Sequence, residues 1–524
     1  MTIMKNIFKI SFALAAVLGL ASCDMNKRPY SVIDPENALE SPADAAKLSN
    51  GLHTQVRSLA VGSVNYYPEI QADIFHATTN YGNRGGQIYR WAFDATDSDF
   101  SSIWLSCYSS IANANYFLEK AASVQERVST DADFAANWAD KDLSLLKGQI
   151  SEAYFVRAYA YSILLDRFCP AYTEENENKE DLGLAIVTKY EPTSDKGKYP
   201  ERSTLKASYE FILGDLEAAE ENIELAHASA AGSKYITLDA VRALRARVAL
   251  LCQDYAQAIQ DATGIINSGI YALTGTAEGL SALWVNDNTL SECIMQSSVA
   301  LTTEVPGTNN YGYIGFNYAK NIYNPDFIPE QWLVDLYSDD DLRKAVYFKK
   351  TELTQSAGVT EPLYIFNKFC GNPAMQTAPS DVNYQNAPKP FRLAELYLIA
   401  AEAYLKSGLS TGVSEGSKLL NELKSKRITG WEEKLYSPAE LQSELKNERV
   451  RELVGEGFRL SDLKRYGNGF SRSASQDKTA ISLPGQSSTE NLSKSADDYR
   501  FVWPIPVAET DANPNIKQNT GYTN

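Results

Sequence analysis

Residues 238–269 constrain the fold more than any other stretch, because their pattern predicts two consecutive helices that pack on each other. Their sequence is LDAVRALRARVALLCQDYAQAIQDATGIINSG, and its apolar residues recur at the spacing of amphipathic helices. Ala243, Ala246 and Ala249 line one face of the first helix, and Tyr255 begins the second. Small residues on one helix that receive an aromatic side chain from the next are typical of a tetratricopeptide pair.

The same helical spacing occurs along much of the chain. Ser41 and Pro42 are the residue types that begin helices, and Asp44 adds an acid to the first turn, so a helix should start there. Irregular spacing and long insertions rich in Tyr, Asn and Gly separate the helix pairs. We therefore predict an all-α fold, a single compact domain of tetratricopeptide-like helix pairs with long loop insertions. Further helices are predicted over 98–122, 142–168, 205–225, 238–252, 256–266, 392–406, 417–427 and 438–454.

The N-terminus has the pattern of an export signal. Lys5 and Lys9 form a positively charged segment before an apolar run over 10–20. This run is shorter than the about 20 residues that a membrane-spanning helix needs. The Leu-Ala-Ser before Cys23 resembles a bacterial lipobox. We therefore predict that 1–22 is a lipoprotein signal peptide, that 23–524 is the mature domain, and that Cys23 carries the lipid anchor. The alternative is a soluble secreted protein in which Cys23 forms a disulfide.

Composition narrows the possible partners. The chain has 49 Lys and Arg against 66 Asp and Glu, a formal charge of −17, and an acidic chain repels nucleic acid.

Besides Cys23, the cysteines are scattered, odd in number and without a CxxC pair, so we interpret them as small buried apolar residues. They are Cys107, Cys169, Cys252, Cys293 and Cys370.

The sequence predicts neither a cofactor nor a metal site. Its three histidines, His53, His76 and His227, lie far apart, and HExxH, GxSxG and phosphate-loop motifs are missing. The acidic stretches 94–100 and 338–343 lack the glycine and the final glutamate of an EF-hand loop. We interpret both stretches as helix or turn starts.

One acidic segment has some features of an active site. Glu448, Glu452 and Glu456 recur every four residues and can share a helix face, and paired carboxylates hydrolyse glycosides when one keeps a raised pKa. Arginines crowd the same segment, 447–467, however, and neighbouring cations lower a carboxyl pKa, the wrong direction for a general acid. We therefore predict a structural ion-pair network and no catalytic residue. The alternative is a surface glycoside hydrolase.

The candidate site residues come from two aromatic stretches, 64–91 and 309–327. Both lack helical periodicity and are rich in Gly and Asn, which predicts exposed loops. Rings beside amide and guanidinium donors suit sugars, whose apolar faces stack and whose hydroxyls form hydrogen bonds. The alternatives are that the rings pin long loops to the body, or that the site lies near Trp284 or in the Ser-rich loop 471–495. The predicted ligand-binding residues are Arg84, Tyr89, Trp91, Tyr311, Tyr313 and Tyr318.

Five motifs in the same order resemble those of the SusD/RagB family of outer-membrane lipoproteins, and together they extend over nearly the whole chain. Two lie in helical blocks and read FRLAELYLIAAEAYLKSG and NERVRELVGEGFRLSDLKRYG. The others are IWLSCYSSIANAN, FIPEQWLVDLYSDDDLR and the closing WPIPVAETDANPNIKQNTGY.

The resemblance implies a lipid-anchored protein on the cell surface that binds a glycan and is not an enzyme. It also implies a partner, a SusC-like TonB-dependent transporter of the outer membrane, to which the glycan is delivered. A peptide-binding RagB-like protein with the same transport role is the alternative, and it would need backbone-pairing groups more than ring platforms. Ligand residues vary with cargo in this family, so the site prediction rests on the aromatic stretches alone.

Overall fold

The computed structural model describes residues 38–287, 291–355, 358–378, 380, 384–472, 476 and 493–523, with no side chain described at 308 and 309. The predicted signal peptide 1–22 and the predicted lipid site Cys23 lie outside the described residues, as does most of the Ser-rich loop 471–495. The lipid anchor and the boundary between 22 and 23 therefore stay predictions.

Helices dominate the described residues. They are α1 Pro42–Leu59, α2 Ser63–Gln71, α3 Gly86–Tyr89, α4 Ser98–Thr130, α5 Ala132–Ala135, α6 Asp140–Phe168, α7 Leu205–Glu220, α8 Leu238–Leu251, α9 Tyr255–Ile266, α10 Ala277–Val285, α11 Thr308–Ile314, α12 Gln331–Asp335, α13 Leu342–Tyr347, α14 Leu393–Lys406, α15 Gly412–Ser425, α16 Pro438–Leu453, α17 Arg459–Arg465 and α18 Val507–Ala512. Short 3₁₀ turns occupy Lys196–Lys198, Ile223–Leu225, Thr302–Glu304, Pro373–Met375 and Tyr499–Phe501.

The strands are short, and each one in the described part of the chain pairs antiparallel with a single partner. They are β1 Phe75–Ala77, β2 Cys293–Met295, β3 Phe316–Asn317, β4 Ile322–Tyr323, β5 Phe327–Pro329, β6 Phe348–Thr351, β7 Thr354–Gln355, β8 Gly358–Val359, β9 Leu363–Phe366, β10 Phe391–Arg392, β11 Phe470–Ser471 and β12 Ser493–Lys494. The pairs are β1 with β5, β2 with β10, β3 with β4, β6 with β9, β7 with β8 and β11 with β12.

The predicted long helices are confirmed, and capping residues explain where several of them begin. α1 follows Ser41, whose side chain accepts a hydrogen bond from the Asp44 N–H. α16 follows Ser437, where Glu440 completes a capping box. Such caps satisfy N–H groups that the first helical turn leaves unpaired. The start of a helix was therefore visible locally in the sequence.

The long helices pack against one another largely in chain order. α1 and α4 pack on α6, which contacts α7; α8 lies between α7 and α9; and α14 contacts α9, α15 and α16. Ala243, Ala246 and Ala249 are fully buried on α8, and their small size lets α9 approach. Arg245 Nε also donates a hydrogen bond to Asp261 at 2.7 Å across this helix pair. The single all-α domain built on helix pairs is confirmed.

Two further features concern membrane-spanning helices and the cysteines. Within the described ranges, no helix combines the length and the apolar character that crossing a membrane requires. The five cysteines after Cys23 are free thiols, of which Cys107, Cys169 and Cys293 are buried. These three fit the interpretation as small apolar core residues, and Cys252 and Cys370 are partly buried.

Candidate ligand-binding surface

The fold brings the two aromatic stretches side by side. β1 from the first stretch pairs antiparallel with β5, which begins at the end of the second, so that Ala77 lies opposite Phe327. Beyond the strands, the Thr78 N–H donates to the Asp326 carbonyl at 2.8 Å. Residues 64–91 and 309–327 therefore form one continuous region, although more than 200 residues separate them.

Arg84 lies at the outer edge of this region and is held by Asp326. Its Nε donates to Asp326 Oδ2 at 2.6 Å, and Nη2 donates to the other carboxylate oxygen. The Asp326 side chain is 2% exposed and that of Arg84 is 58% exposed. Burial raises the pKa of Asp326 to about 6, although the Arg84 guanidinium acts in the opposite direction. The pair therefore fixes Arg84 from below and leaves part of its guanidinium open to solvent.

Three tyrosines accompany Arg84 on the two insertions. The Tyr311 ring is partly buried and lies 5.5 Å from the Arg84 guanidinium carbon. Tyr318 follows β3 in the hairpin between β3 and β4 and is 51% exposed. Tyr81 is partly buried, and its hydroxyl donates to Asn83 Oδ1 at 3.0 Å. We call Tyr81, Arg84, Tyr311 and Tyr318 the aromatic surface.

The prediction that the other three rings face a ligand needs correction. Tyr89, Trp91 and Tyr313 are only 1%, 0% and 2% exposed. Trp91 Nε1 donates to the Gln71 carbonyl at 2.7 Å. The Tyr313 ring lies 4.5 Å from the Phe75 ring. With so little exposed area, these rings present no open face at the molecular surface in this conformation.

The physical reason is that the aromatic stretches are not the open loops predicted from their composition. They contain the short helices α2, α3 and α11, whose inward sides cover the core. Aromatic side chains bury a large apolar area, so the rings nearest the core pin the insertions to it. For Tyr89, Trp91 and Tyr313, the alternative interpretation as loop anchors holds.

The carboxylates of the 447–467 segment form a buried ion-pair network. Glu448 Oε1 accepts from Arg343 at 2.6 Å, and Glu448 Oε2 accepts from Arg451 at 2.8 Å. Glu452 accepts from Arg343, Arg392 and Arg427 at 2.9 Å. Glu448 and Glu452 are fully buried. The predicted structural ion pairs are confirmed, but all three arginine partners of Glu452 lie outside the 447–467 segment.

The electrostatics of this network oppose acid catalysis. Burial acts to raise the pKa of Glu448, but Arg343 and Arg451 outweigh it and hold that pKa at about 2. Burial likewise acts against ionisation of Glu452 and Glu456, and neighbouring cations still lower the pKa of both. A general acid for glycoside hydrolysis needs a raised pKa. The network therefore suits a structural role.

The fold also assembles one cluster that the sequence analysis missed. His53 and His227 are far apart in the sequence, yet both approach the same carboxylate oxygen of Glu152, at 3.0 and 3.5 Å. The sequence carried no local sign of this contact, because about 100 residues separate His53 from Glu152. The third histidine, His76, bonds Glu330 elsewhere in the molecule.

Trp284, an alternative location for the ligand site, lies inside the molecule. It is 3% exposed, and it lines a cavity of about 110 Å³ together with Lys389 and Tyr313. The Lys368 ammonium stands 4.4 Å from the Trp284 ring. This tryptophan therefore packs against buried cations.

The geometry defines a class of protein, a helical-repeat scaffold whose insertions present aromatic rings and an arginine at the surface. Two family models match the chain: the SusD family over 346–522, and a family described as starch-binding associating with outer membrane over 26–250. Together with the relatives described next, these matches show that the chain belongs to the SusD/RagB family.

Relatives from two organisms illustrate the match. SusD-like protein P2 of Formosa agariphila is 23% identical over an alignment that spans 98% of this chain and 99% of that protein. A SusD superfamily protein of Bacteroides thetaiotaomicron has a crystal structure with a TM-score of 0.73 at 26% identity, covering 91% of this chain and 99% of that chain. Starch-binding protein SusD, also of Bacteroides thetaiotaomicron, is 33% identical over 27% of this chain and 23% of that protein.

Proposed function

We propose that this chain is a cell-surface lipoprotein that binds a glycan and delivers it to a SusC-like TonB-dependent transporter of the outer membrane. The observation that carries the proposal is the aromatic surface. Arg84 is fixed from below by Asp326 and contacts Tyr311, and Tyr318 extends the surface along the second insertion.

The chemistry of this surface favours a sugar as the ligand. Partly exposed rings offer flat apolar faces, on which the apolar faces of sugar rings stack. The Arg84 guanidinium and the Asn83 amide provide hydrogen-bonding groups for hydroxyls nearby. A few placed polar groups beside apolar area is the usual composition of a ligand site.

The comparisons support the same class of ligand. One matching family is described as starch-binding with an outer-membrane association, and one relative is named a starch-binding protein. A binding role without catalysis agrees with the lowered pKa of Glu448, because that carboxyl cannot act as a general acid at neutral pH.

The binding proposal is tested on the mature chain with a glycan array and a peptide pool in parallel, followed by calorimetric titration of each hit. We expect an oligosaccharide to bind and the Tyr311→Ala/Tyr318→Ala double variant to lose that binding. Tyr190→Ala is the matched control, since Tyr190 is 41% exposed and lies outside both aromatic stretches. Binding of peptides alone would replace the glycan proposal with the RagB-like alternative.

Three further measurements test the rest of the proposal. Cys23→Ala should leave the protein unprocessed or release it from the membrane fraction, and unchanged fractionation with a retained lipid label would contradict the anchor. A bound oligosaccharide should be recovered intact after long incubation with the protein. Its cleavage would support the glycoside hydrolase alternative. Recovery of a transporter barrel with the wild-type protein from detergent-solubilised membranes tests the partner.

A further inference from the structure

His53, Glu152 and His227 form a cluster of metal-ligand side chains away from the ion-pair network. His53 lies on α1, Glu152 on α6, and His227 just after the 3₁₀ turn Ile223–Leu225. Glu152 Oε1 stands 3.0 Å from His53 Nε2 and 3.5 Å from His227 Nε2. One potential ligand atom from each residue lies within 4.8 Å of the other two.

These separations match the spacing of ligands around a small divalent ion. Zinc holds nitrogen and carboxylate oxygen ligands at about 2.0–2.2 Å in a tetrahedron, which places neighbouring ligand atoms roughly 3.3 Å apart. The two measured distances to Glu152 Oε1 lie on either side of that value. One nitrogen of each imidazole lies within 4.8 Å of the other, so the two rings must approach each other by up to about 1.5 Å to complete the tetrahedron.

The burial of the Glu152 carboxyl group gives a second reason to expect a cation here. Its side chain is fully buried, and buried charges in proteins are paired or coordinate metals. Glu448 and Glu452 meet this demand with arginines, whereas in the described part of the chain the ion-pair partners of Glu152 are His53 and His227 alone. Ser49 Oγ donates to Glu152 Oε2 at 2.5 Å, which leaves Oε1 directed at the two imidazoles.

The surroundings hold the imidazoles and leave one side accessible. The Tyr235 ring stacks on His227 with centroids 3.8 Å apart and meets the His53 ring edge-on at 5.8 Å. A cavity of about 250 Å³ adjoins His53 and Tyr235. Of the two cations that line it, Arg57 is paired with Glu304 at 3.2 Å, and Lys234 is exposed.

We propose that His53, Glu152 and His227 bind one divalent transition-metal ion, with zinc as the preferred ion and a solvent molecule from the adjoining cavity as a further ligand. Imidazole nitrogen with one carboxylate favours zinc and its neighbours in the first transition row. Calcium and magnesium prefer all-oxygen sites. A bound ion would join α1, α6 and the segment after Ile223–Leu225, and thereby stabilise the folded state.

The test is calorimetric titration of the chelator-treated mature chain with zinc chloride at pH 7.5, paired with thermal melts. We expect one zinc per chain and a higher melting temperature with zinc. His53→Gln and His227→Gln should each weaken binding at least tenfold, because each removes one of three ligands. His76→Gln is the matched control, since His76 bonds Glu330 at 2.8 Å and has no second imidazole beside it. It should bind zinc like the wild type.

Three results would overturn the proposal: no zinc binding by the wild type, unchanged binding in both Gln variants, or equal binding of calcium. If the Gln variants do not fold, the visible spectrum of wild-type protein with cobalt decides. A spectrum typical of four- or five-coordinate cobalt with nitrogen ligands, which disappears when zinc is added, supports the site. A spectrum of hydrated cobalt contradicts it. None of these results depends on whether the chain binds a glycan.

Discussion

The ion-pair network and the aromatic surface both depend on arginines paired with carboxylates, but the network is closed to solvent and the aromatic surface is open. Glu452 is fully buried and meets three arginines. Arg84 is mostly exposed and meets one aspartate. Burying a charge requires a fixed partner for it, so the network constrains the scaffold. At the surface, a single side chain can change affinity while the fold persists.

The largest expected effect comes from breaking the network. Glu452→Gln leaves Arg343, Arg392 and Arg427 with less negative charge in a buried site, and removing one partner of a buried pair costs about 3–5 kcal/mol. The free energy of unfolding from urea titration should fall accordingly. The exposed Glu432→Gln is the control and should change it little. A stable Glu452→Gln variant that loses a hydrolytic activity would contradict the structural role.

An effect of similar size is expected at the buried end of the aromatic stretches. Trp91→Ala deletes a fully buried ring, and such truncations cost about 3–5 kcal/mol. Tyr313→Ala should behave alike. Thermal melts check both. If either variant keeps the wild-type melting temperature and loses ligand binding, that ring belongs to the ligand site and our correction is wrong.

The network should also make the fold sensitive to acid. The pKa of Glu448 is about 2, below its ordinary value of 4.5, so the unfolded chain binds this proton more readily. Glu448 therefore stabilises the fold above about pH 4.5, and that contribution, on the order of 3 kcal/mol, is lost as the pH falls toward 2. Urea unfolding at pH 5.5 and 3.5 measures the first part of this loss, about 1.4 kcal/mol. Glu448→Gln should show a shallower pH dependence, and an identical slope would contradict the assignment.

A smaller effect is expected where the surface meets the interior. Arg84→Ala leaves the buried Asp326 carboxylate without its ion-pair partner, and an unsatisfied buried group costs about 1–3 kcal/mol. Without the guanidinium, the pKa of Asp326 should rise further above about 6. The loss of stability should therefore be large at pH 7.5 and small at pH 4, where the carboxyl is protonated. Equal losses at both pH values would contradict this account.

The double variant Arg84→Ala/Asp326→Asn is the control for that experiment. It removes the buried charge together with its partner, so it should regain stability at pH 7.5. Ligand binding should stay weak, because the exposed donors of Arg84 are still missing.

The smallest effect is expected at the exposed rings. A stacked aromatic contact contributes about 0.5–1.5 kcal/mol beyond area burial, so Tyr318→Ala should weaken glycan binding several-fold to about tenfold. Its melting temperature should stay close to that of the wild type, since the ring is 51% exposed. Calorimetric titration and thermal melts check both expectations. Normal binding in a folded variant would exclude Tyr318 from the ligand site.

Local sequence patterns predicted the helices well, because capping and apolar periodicity act within one or two turns. Composition predicted that the aromatic stretches contain the ligand-binding residues, but it did not separate buried rings from exposed ones. Trp91 and Tyr318 occur in similar Gly- and Asn-rich surroundings. What distinguishes them is their distance from the core, which depends on how α2, α3 and α11 pack.

The sequence by itself determined where most of the long helices begin, the alanine face of α8 and the family motifs, since these depend on neighbouring residues. Several helix ends differ from the prediction, as at Thr130 of α4 and Glu220 of α7. The tertiary structure alone decided which charges meet. Arg343, Arg392 and Arg427 reach Glu452 from other parts of the chain, and His53 and His227 converge on Glu152. Such contacts depend on the packing of helices distant in sequence, and no local pattern specifies that packing.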